Sequence, residues 1–189
     1  MGITIGSTDI VFGRSSLNNH GFTTEAVFTD FTTQSGSPID VPKQVKYGVA
    51  NTSPNGIISV DTAGNVTILK SGPMFIKSRI RIGRTGASGY SDVFVWVEVS
   101  INGGASWAVF GNSVDVRLNN ASEVEVFFDM SPVALPVGTI LRSMFARSST
   151  GDNSGDLVPA SPSTTLATYG VPVAPSAQLT VYRSVSYNY

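Results

Sequence analysis

A regular alternation of apolar and polar side chains marks the segment that begins at Pro73. One parity consists of Met74, Ile76, Ile80 and Ile82, with Ser78 as its only interruption. The other parity begins with Phe75 and continues with a basic row, which consists of Lys77, Arg79 and Arg81. Because successive side chains of a β-strand point to opposite faces, this pattern predicts a strand over residues 73–83 with one face in a core.

The basic row has two interpretations. Like charges on one face repel each other, so the row is unfavourable unless acidic partners lie close to it. Glu123, Glu125 and Asp129 share the polar parity of the predicted strand 122–130 and could provide these partners from the same sheet. The alternative is a contact with an acidic capsid or with a cell-surface glycan.

Short runs of β-branched and aromatic residues recur along the chain between Gly, Asn, Asp, Ser and Pro, and helical patterning is nearly missing. The predicted strands cover residues 57–60, 64–69, 73–83, 92–101, 106–110, 114–118, 122–130, 139–147, 165–169 and 176–185. About eight to ten strands of this kind suit an all-β sandwich of two sheets with jelly-roll connections.

Residues 1–44 contain too few apolar side chains to form a core of their own. We therefore predict an N-terminal arm or attachment segment over 1–44 and a jelly-roll domain over 45–189. The candidate attachment residues of the arm are Ile10, Phe12, Phe22, Phe28 and Phe31. An equally open alternative is that the segment adds edge strands to the same sandwich.

Aromatic residues on the outer parity of two predicted strands indicate a covered surface. In strand 92–101 the valines fill one parity, whereas Phe94 and Trp96 lie on the other, and Tyr182 lies on the outer parity of the last strand. Large rings on both sides of a sandwich strand need cover on both sides. Self-association through these three residues is the favoured prediction, and cover by the subunit's own N-terminal arm is the alternative.

Composition narrows the possible functions. Hydrophobic residues make up 41% of the chain, charged residues only 13%, and the net charge is −1. Nucleic-acid binding is not expected, because it needs a large positive field. The chain has no cysteine, so disulfide and thiolate chemistry are excluded. Neither a signal peptide nor an apolar run of membrane-spanning length is recognisable, so we expect no membrane association.

Two stretches carry a resemblance to a known superfamily. Ile58-Ser-Val-Asp-Thr-Ala-Gly-Asn-Val-Thr-Ile-Leu-Lys-Ser-Gly-Pro-Met-Phe-Ile76 resembles the first strands of the tumour-necrosis-factor and C1q-like jelly-roll domains, and Ser176-Ala-Gln-Leu-Thr-Val-Tyr-Arg183 resembles their last core strand. The usual Tyr of the first motif is displaced, since Pro73, Met74 and Phe75 follow Gly72. The resemblance implies a homotrimer that packs through aromatic residues, with Phe94, Trp96 and Tyr182 as the candidates.

Versions of this superfamily without cysteine or a collagen-like stalk look most like those of tailed bacteriophages. The resemblance therefore implies a structural virion protein, made in the host cytoplasm, that binds the major capsid protein as a trimer and stabilises the capsid surface. The alternative is the tip of a phage fibre, which would bind a receptor or glycan through loops 84–91, 102–106 and 148–164.

Catalytic chemistry finds little support in the sequence. The one histidine, His20, has no acidic residue nearer than Glu25, so we predict no catalytic base and no enzyme. Ser100-Ile-Asn-Gly-Gly-Ala-Ser-Trp107 resembles an Asp-box and predicts a tight hairpin. Loop 150–156 is rich in oxygen ligands but lacks EF-hand spacing, so a simple turn is favoured over a Ca²⁺ site. No metal or cofactor is predicted.

Overall fold

The computed structural model describes residues 20–84, 89–119, 123–151 and 154–186. Within these ranges the chain forms strands and one short helix. In chain order they are β1 (His20–Asp30), β2 (Lys43–Gln44), β3 (Asn51–Thr52), β4 (Ile58–Val60), β5 (Val66–Ile68), β6 (Pro73–Gly83), β7 (Tyr90–Ser100), β8 (Ala108–Val109), β9 (Val114–Asn119), β10 (Glu123–Ala134), β11 (Ile140–Gly151), β12 (Asp156–Leu157), α1 (Thr164–Thr168) and β13 (Ala177–Ser186).

The strands form two antiparallel sheets. Sheet A has the order β1-β13-β6-β10, and β12 pairs with one end of β6. Sheet B has the order β3-β4-β5-β11-β7-β8, with β2 paired to β11 and β9 paired to β7. Among the described strands, the chain passes from one sheet to the other at six points, which are β1 to β2, β5 to β6, β6 to β7, β9 to β10, β10 to β11 and β11 to β12. The fold is therefore an all-β jelly-roll sandwich, as the strand pattern predicts.

The core between the sheets is built from the apolar parities. In β6 the isoleucines at 76, 80 and 82 are at most 2% exposed, and they face Val93 and Val95 of β7 among other buried residues. Since one face of each central strand is apolar and the other polar, the register of these strands is fixed by which face enters the core.

Ser78, which interrupts the apolar parity of β6, belongs to a buried hydrogen-bond network. The Tyr47 hydroxyl donates to the Ser143 Oγ of β11 at 2.7 Å and lies 2.7 Å from the Ser78 Oγ. Burial raises the pKa of the Tyr47 hydroxyl above its ordinary value, because the phenolate would lose its hydration. The network joins the two sheets by polar contacts at a point where all three side chains are buried.

One expectation about the elements is corrected by the structure. Residues 165–169 do not form a strand but lie in or next to α1, whose N-cap Ser163 accepts a hydrogen bond from the Leu166 amide. No residue of α1 is buried, so the local capping preference is not overridden by packing.

The described part of the predicted arm belongs to the sandwich. β1 pairs with β13 over ten register positions, and Lys43 and Gln44 pair with β11. The alternative of an edge strand in the same sandwich therefore holds for residues 20–44. The first 19 residues, with Ile10 and Phe12, lie outside the described ranges.

Candidate interaction surfaces

The outward face of sheet A carries the basic row together with its acidic partners, and we call it the paired face. Lys77 of β6 lies opposite Asp129 of β10, and Arg81 lies opposite Glu125. The ion pairs of the paired face are Lys77–Asp129 at 3.8 Å, Arg79–Glu125, Arg81–Glu123 and Arg81–Glu125 at 3.4 Å. The predicted acidic partners are thus confirmed. Because each basic residue of the row has a carboxylate beside it, the mutual repulsion within the row is offset.

Glu125 is the centre of these ion pairs. It accepts hydrogen bonds from Arg79 and Arg81, and its side chain is only 29% exposed. The hydrogen bond from Arg79, followed by the charges of the two arginines, holds the pKa of Glu125 below its ordinary value, although partial burial acts in the opposite direction. Glu125 is therefore ionised at neutral pH.

Apolar side chains complete the paired face. Phe75 of β6 and Tyr182 of β13 are register partners, their ring centroids are 5.6 Å apart and their planes are inclined by 45°. Val27 of β1 is 50% exposed and Phe127 of β10 is 49% exposed. The Lys77 Nζ lies 4.9 Å from the centre of the Phe127 ring, within the range of a cation–π contact. The paired face thus combines neutralised charges with exposed rings.

The outward face of sheet B is organised around Trp96. The indole Nε1 of Trp96 donates to the Glu98 Oε1 at 2.9 Å. Arg142 of β11 donates from Nε to the Glu98 Oε2 at 2.7 Å and also forms an ion pair with it through Nη2 at 2.6 Å. The Arg142 guanidinium lies 3.7 Å from the centre of the Trp107 ring. This chain of contacts fixes the orientation of the Trp96 ring.

An open groove lies next to Trp96, and we call it the aromatic groove. It forms because β8 and β9 both pair with the same edge of β7, and the chain leaves the sheet between them. The groove has a volume of about 560 Å³ and is lined by Phe94, Trp96, Val109, Gly111, Asn112, Ser113 and Ala146. Phe94 is 38% exposed and Trp96 is partly exposed. The rings therefore face an accessible recess.

The three residues predicted to form one trimer interface do not lie together. Phe94 and Trp96 lie on the outward face of sheet B, whereas Tyr182 lies on the outward face of sheet A. The two outward faces of a sandwich point in opposite directions, so they cannot both turn toward one symmetry axis. A single interface through all three residues is thus corrected by the structure. The assignment of Tyr182 alone stays a prediction.

The predicted attachment residues also separate. Phe28 is 6% exposed and packs in the core of its own sandwich, so its ring is not free to contact a capsid. Phe31, just beyond the end of β1, is 52% exposed and remains a candidate. Phe22 lies on β1 opposite Ser184.

The Asp-box-like hairpin is structural, as its sequence predicts. Gly103 and Gly104 have φ angles of 70° and 90°, which favour glycine. The Asn102 Oδ1 accepts hydrogen bonds from the Ser106 amide at 3.0 Å and from the Ser100 hydroxyl at 2.8 Å. The asparagine side chain therefore closes the turn, and no catalytic group takes part in it.

Neither a metal site nor a membrane-spanning helix is indicated in the described ranges. Residues 152 and 153 of loop 150–156 lie outside the described ranges, and at its end the Asp156 Oδ1 accepts a hydrogen bond from the Gly36 amide at 2.8 Å. Among the residues that the structure describes, no group of three His, Cys, Asp or Glu side chains has the arrangement of a metal site. No helix in these ranges is long and apolar enough to cross a bilayer.

Sequence reasoning missed the support of Trp96. The parity of strand 92–101 places Glu98 beside Trp96, which is a signal for an indole–carboxylate hydrogen bond, but the partner Arg142 comes from β11 and depends on a register that the sequence does not show. Phe75 was also missed as the partner of Tyr182, although it shares the parity of the basic row.

Comparisons with known proteins concern the fold. The sequence matches no protein-family model and no curated protein. Among solved structures, the chain is similar to murine APRIL, with a TM-score of 0.45, 10% identity and coverage of 87% of this chain and 98% of that one. It is also similar to Eiger TNF from S. frugiperda, with a TM-score of 0.44, 7% identity and coverage of 83% and 92% respectively. At such identities and TM-scores the likeness carries no activity, assembly or partner to this chain.

Proposed function

We propose that this chain is a non-enzymatic structural protein of a virion, which assembles as a homotrimer through the paired face and stabilises the capsid surface. The observation that carries the assembly is the combination of neutralised charges and exposed rings on sheet A. The capsid role is supported by the resemblance of residues 57–185 to the tumour-necrosis-factor and C1q-like jelly-roll domains, whose versions without cysteine, signal peptide or collagen-like stalk look most like those of tailed bacteriophages. The major capsid protein is then the partner, and the capsid surface of the virion is the location.

The ion pairs of the paired face lower the cost of burying its charges against another copy. Burying an unpaired charge is costly, whereas an ion pair that is already formed enters a contact with its two charges compensated. In the basic row Lys77, Arg79 and Arg81 each have a carboxylate within the same subunit. A second copy can therefore cover this face without providing countercharges of its own.

The apolar residues of the paired face provide the stabilisation. Covering the partly exposed rings of Phe75, Phe127 and Tyr182 would contribute about 1.5–3 kcal/mol for each ring that becomes fully buried. Tyr182 and Phe75 lie side by side on neighbouring strands, so they can meet the same surface of a neighbouring subunit. A closed threefold arrangement uses this one face of each subunit and leaves sheet B outside.

Two measurements test the proposal. The mass of one chain is 19.9 kDa. Light scattering of the purified protein should give three times this mass, and a monomer mass would overturn the assembly. Cosedimentation with capsids that lack the protein should then show saturable binding. Saturable binding that persists after Phe31→Ser would exclude Phe31 as an attachment residue but would leave the capsid role intact.

The second candidate is a fibre tip that binds a receptor. Its support is the 102–106 hairpin, which is exposed and is held by side-chain hydrogen bonds of Asn102. A rigid exposed loop loses little conformational entropy on binding. Adsorption of the protein to host cells, without binding to capsids, would favour this candidate over capsid stabilisation.

A further inference from the structure

We propose that the aromatic groove of sheet B is a binding site for a neutral saccharide. The inference does not depend on the paired face, because the groove lies on the opposite sheet. It goes beyond a role in assembly and assigns a ligand class to a surface that the proposed trimer leaves open.

The first argument is the presence of two exposed rings in one recess. Phe94 and Trp96 are alternate residues on the same face of β7, and Ala146, the register partner of Phe94, is small enough to leave that ring accessible. The face of an aromatic ring carries partial negative charge, and the C–H groups of a pyranose carry partial positive charge. Rings of this kind stack against sugars without displacing a charged group.

The second argument is that the Trp96 ring is held in place before any ligand arrives. Its Nε1 is bound by Glu98, and Glu98 is in turn held by Arg142, which stacks on Trp107. Met144, the register partner of Trp96 on β11, is 6% exposed and packs beside it. Ordering of the ring therefore costs little when a ligand binds. Glu98 acts here as a positioning residue.

The third argument is charge complementarity, which selects the class of ligand. The residues that line the aromatic groove carry no ionised group. The nearby charges Glu98 and Arg142 neutralise each other, and so do Asp92 and Arg117, which form two hydrogen bonds of 2.8 and 3.0 Å. Asp115 lies opposite Phe94 on β9 and is exposed, so it repels anions. A neutral partner with hydroxyl donors fits these charges, and an acidic saccharide does not.

The fourth argument concerns the wall of the groove. Asn112 and Ser113 also line the groove and provide amide and hydroxyl groups, which we call the rim groups. A few polar groups around an apolar floor are typical of small-molecule sites, whose volumes are about 300–1,000 Å³. A wholly apolar partner segment would leave these rim groups without partners, whereas sugar hydroxyls can bond to them.

The test uses the indole N–H resonances of the whole protein, which has two tryptophans. The probes are maltohexaose, cellohexaose and mannohexaose, with an oligogalacturonate as the acidic control. We expect at least one neutral probe to shift the Trp96 resonance more than the Trp107 resonance, with a Kd of about 1 mM or below. The acidic probe should bind at least about tenfold more weakly.

Variants locate the site. Binding by the variants is measured by calorimetric titration, because Trp96→Phe removes the indole resonance. Phe94→Ala and Trp96→Phe should each weaken binding of that probe by about tenfold, and Tyr169→Ala, which changes an aromatic side chain that is 81% exposed elsewhere on the surface, should not. Glu98→Gln keeps an acceptor for the indole and should retain most of the affinity. Glu98→Ala should move the Trp96 N–H resonance before any sugar is added and weaken binding as well.

Four outcomes would overturn the proposal. They are the absence of a Trp96 shift with every neutral probe, unchanged binding by Phe94→Ala, a Trp96 shift that depends on protein concentration without sugar, and a shift caused by a peptide of residues 1–19. The third outcome would assign the groove to a contact between copies, and the fourth would assign it to the leading segment of the chain. The first, second and fourth outcomes leave the mass of the trimer unchanged, and the third would raise the mass above that of a trimer, so failure here is distinct from failure of the assembly.

Discussion

The two outward faces of the sandwich use charge in different ways. On sheet A the ion pairs lie between neighbouring strands β6 and β10 and neutralise a whole row of the surface. On sheet B the Glu98–Arg142 pair supports a single ring, Trp96, at the side of a groove. Exposed aromatic residues therefore do not by themselves identify a subunit interface. What distinguishes the faces is the role of the charges around the rings, which neutralise a row of the surface on sheet A and orient one ring beside the groove on sheet B.

The largest expected effect comes from placing a charge on each face in turn. Tyr182→Glu should convert the proposed trimer to monomer, because it removes about 1.5–3 kcal/mol of apolar burial at each contact and introduces a charge without a partner. Trp96→Glu should leave the mass unchanged, since it lies on sheet B. Light scattering gives both masses, and circular dichroism checks that each variant is folded. A trimer that survives Tyr182→Glu, or that dissociates with Trp96→Glu, would reverse the comparison.

The second effect concerns the polar contact that joins the two sheets. Tyr47→Phe should lower the free energy of unfolding by about 1–3 kcal/mol, because the buried hydroxyls of Ser78 and Ser143 lose the tyrosine as a partner. Denaturant unfolding measures the change. Ser143→Ala, which leaves the Tyr47–Ser78 bond intact, is the matched control and should cost less. An unchanged stability of Tyr47→Phe would mean that the two serines bond to each other as well as they bond to Tyr47.

Much of the fold could be predicted from the sequence, because the alternation within a single strand shows which of its side chains face the core. The alternation in 73–83 gives the bounds of β6 and also the acidic partners of the basic row, since those partners lie on the outer parity of a strand that is itself well patterned. The contact between Tyr47 and Ser78 could not be predicted, because Tyr47 lies outside the regular strands and reaches the core from a connection.

The site was harder to predict for a physical reason. Parity states that Phe94, Trp96 and Tyr182 face away from the core, but two sheets have two outward faces, and strand order decides which face a residue shares with another. Strand order depends on long-range pairing, such as β13 with β6, that local patterns do not specify. Likewise the sequence predicts Phe28 as an attachment residue, whereas the pairing of β1 with β13 places its ring in the core.

A third and smaller effect is the pH dependence of stability, which tests the ion pairs on the two faces. Glu125 on sheet A and Asp92 on sheet B both have lowered pKa values, through hydrogen bonds from Arg79 and Arg117 respectively. Each carboxylate therefore contributes stability at pH values above its ordinary pKa, which is 4.5 for Glu125 and 3.8 for Asp92. This contribution is lost as the pH falls through the lower pKa of the folded state.

Glu125→Gln should accordingly lower the free energy of unfolding by about 1 kcal/mol at neutral pH and by less in acid, so that wild type and variant converge as the pH falls. Urea unfolding at neutral and at acidic pH measures both values. Asp92→Asn is the counterpart on sheet B and should likewise converge with wild type in acid. A difference that grows in acid would contradict the assigned ion pairs.

The smallest effect separates an exposed ion pair from a covered one. The Lys77–Asp129 pair is 3.8 Å long, and its side chains are 36% and 50% exposed in the single subunit. In the monomeric Tyr182→Glu background, Asp129→Asn should therefore change the free energy of unfolding by no more than about 0.5 kcal/mol, because exposed pairs are screened by water and salt. In the trimer the same substitution should promote dissociation measurably, since Lys77 would be covered without its carboxylate. Equal behaviour in the two backgrounds would mean that this part of sheet A stays in water and that the contact between subunits is confined to the rings of Phe75 and Tyr182.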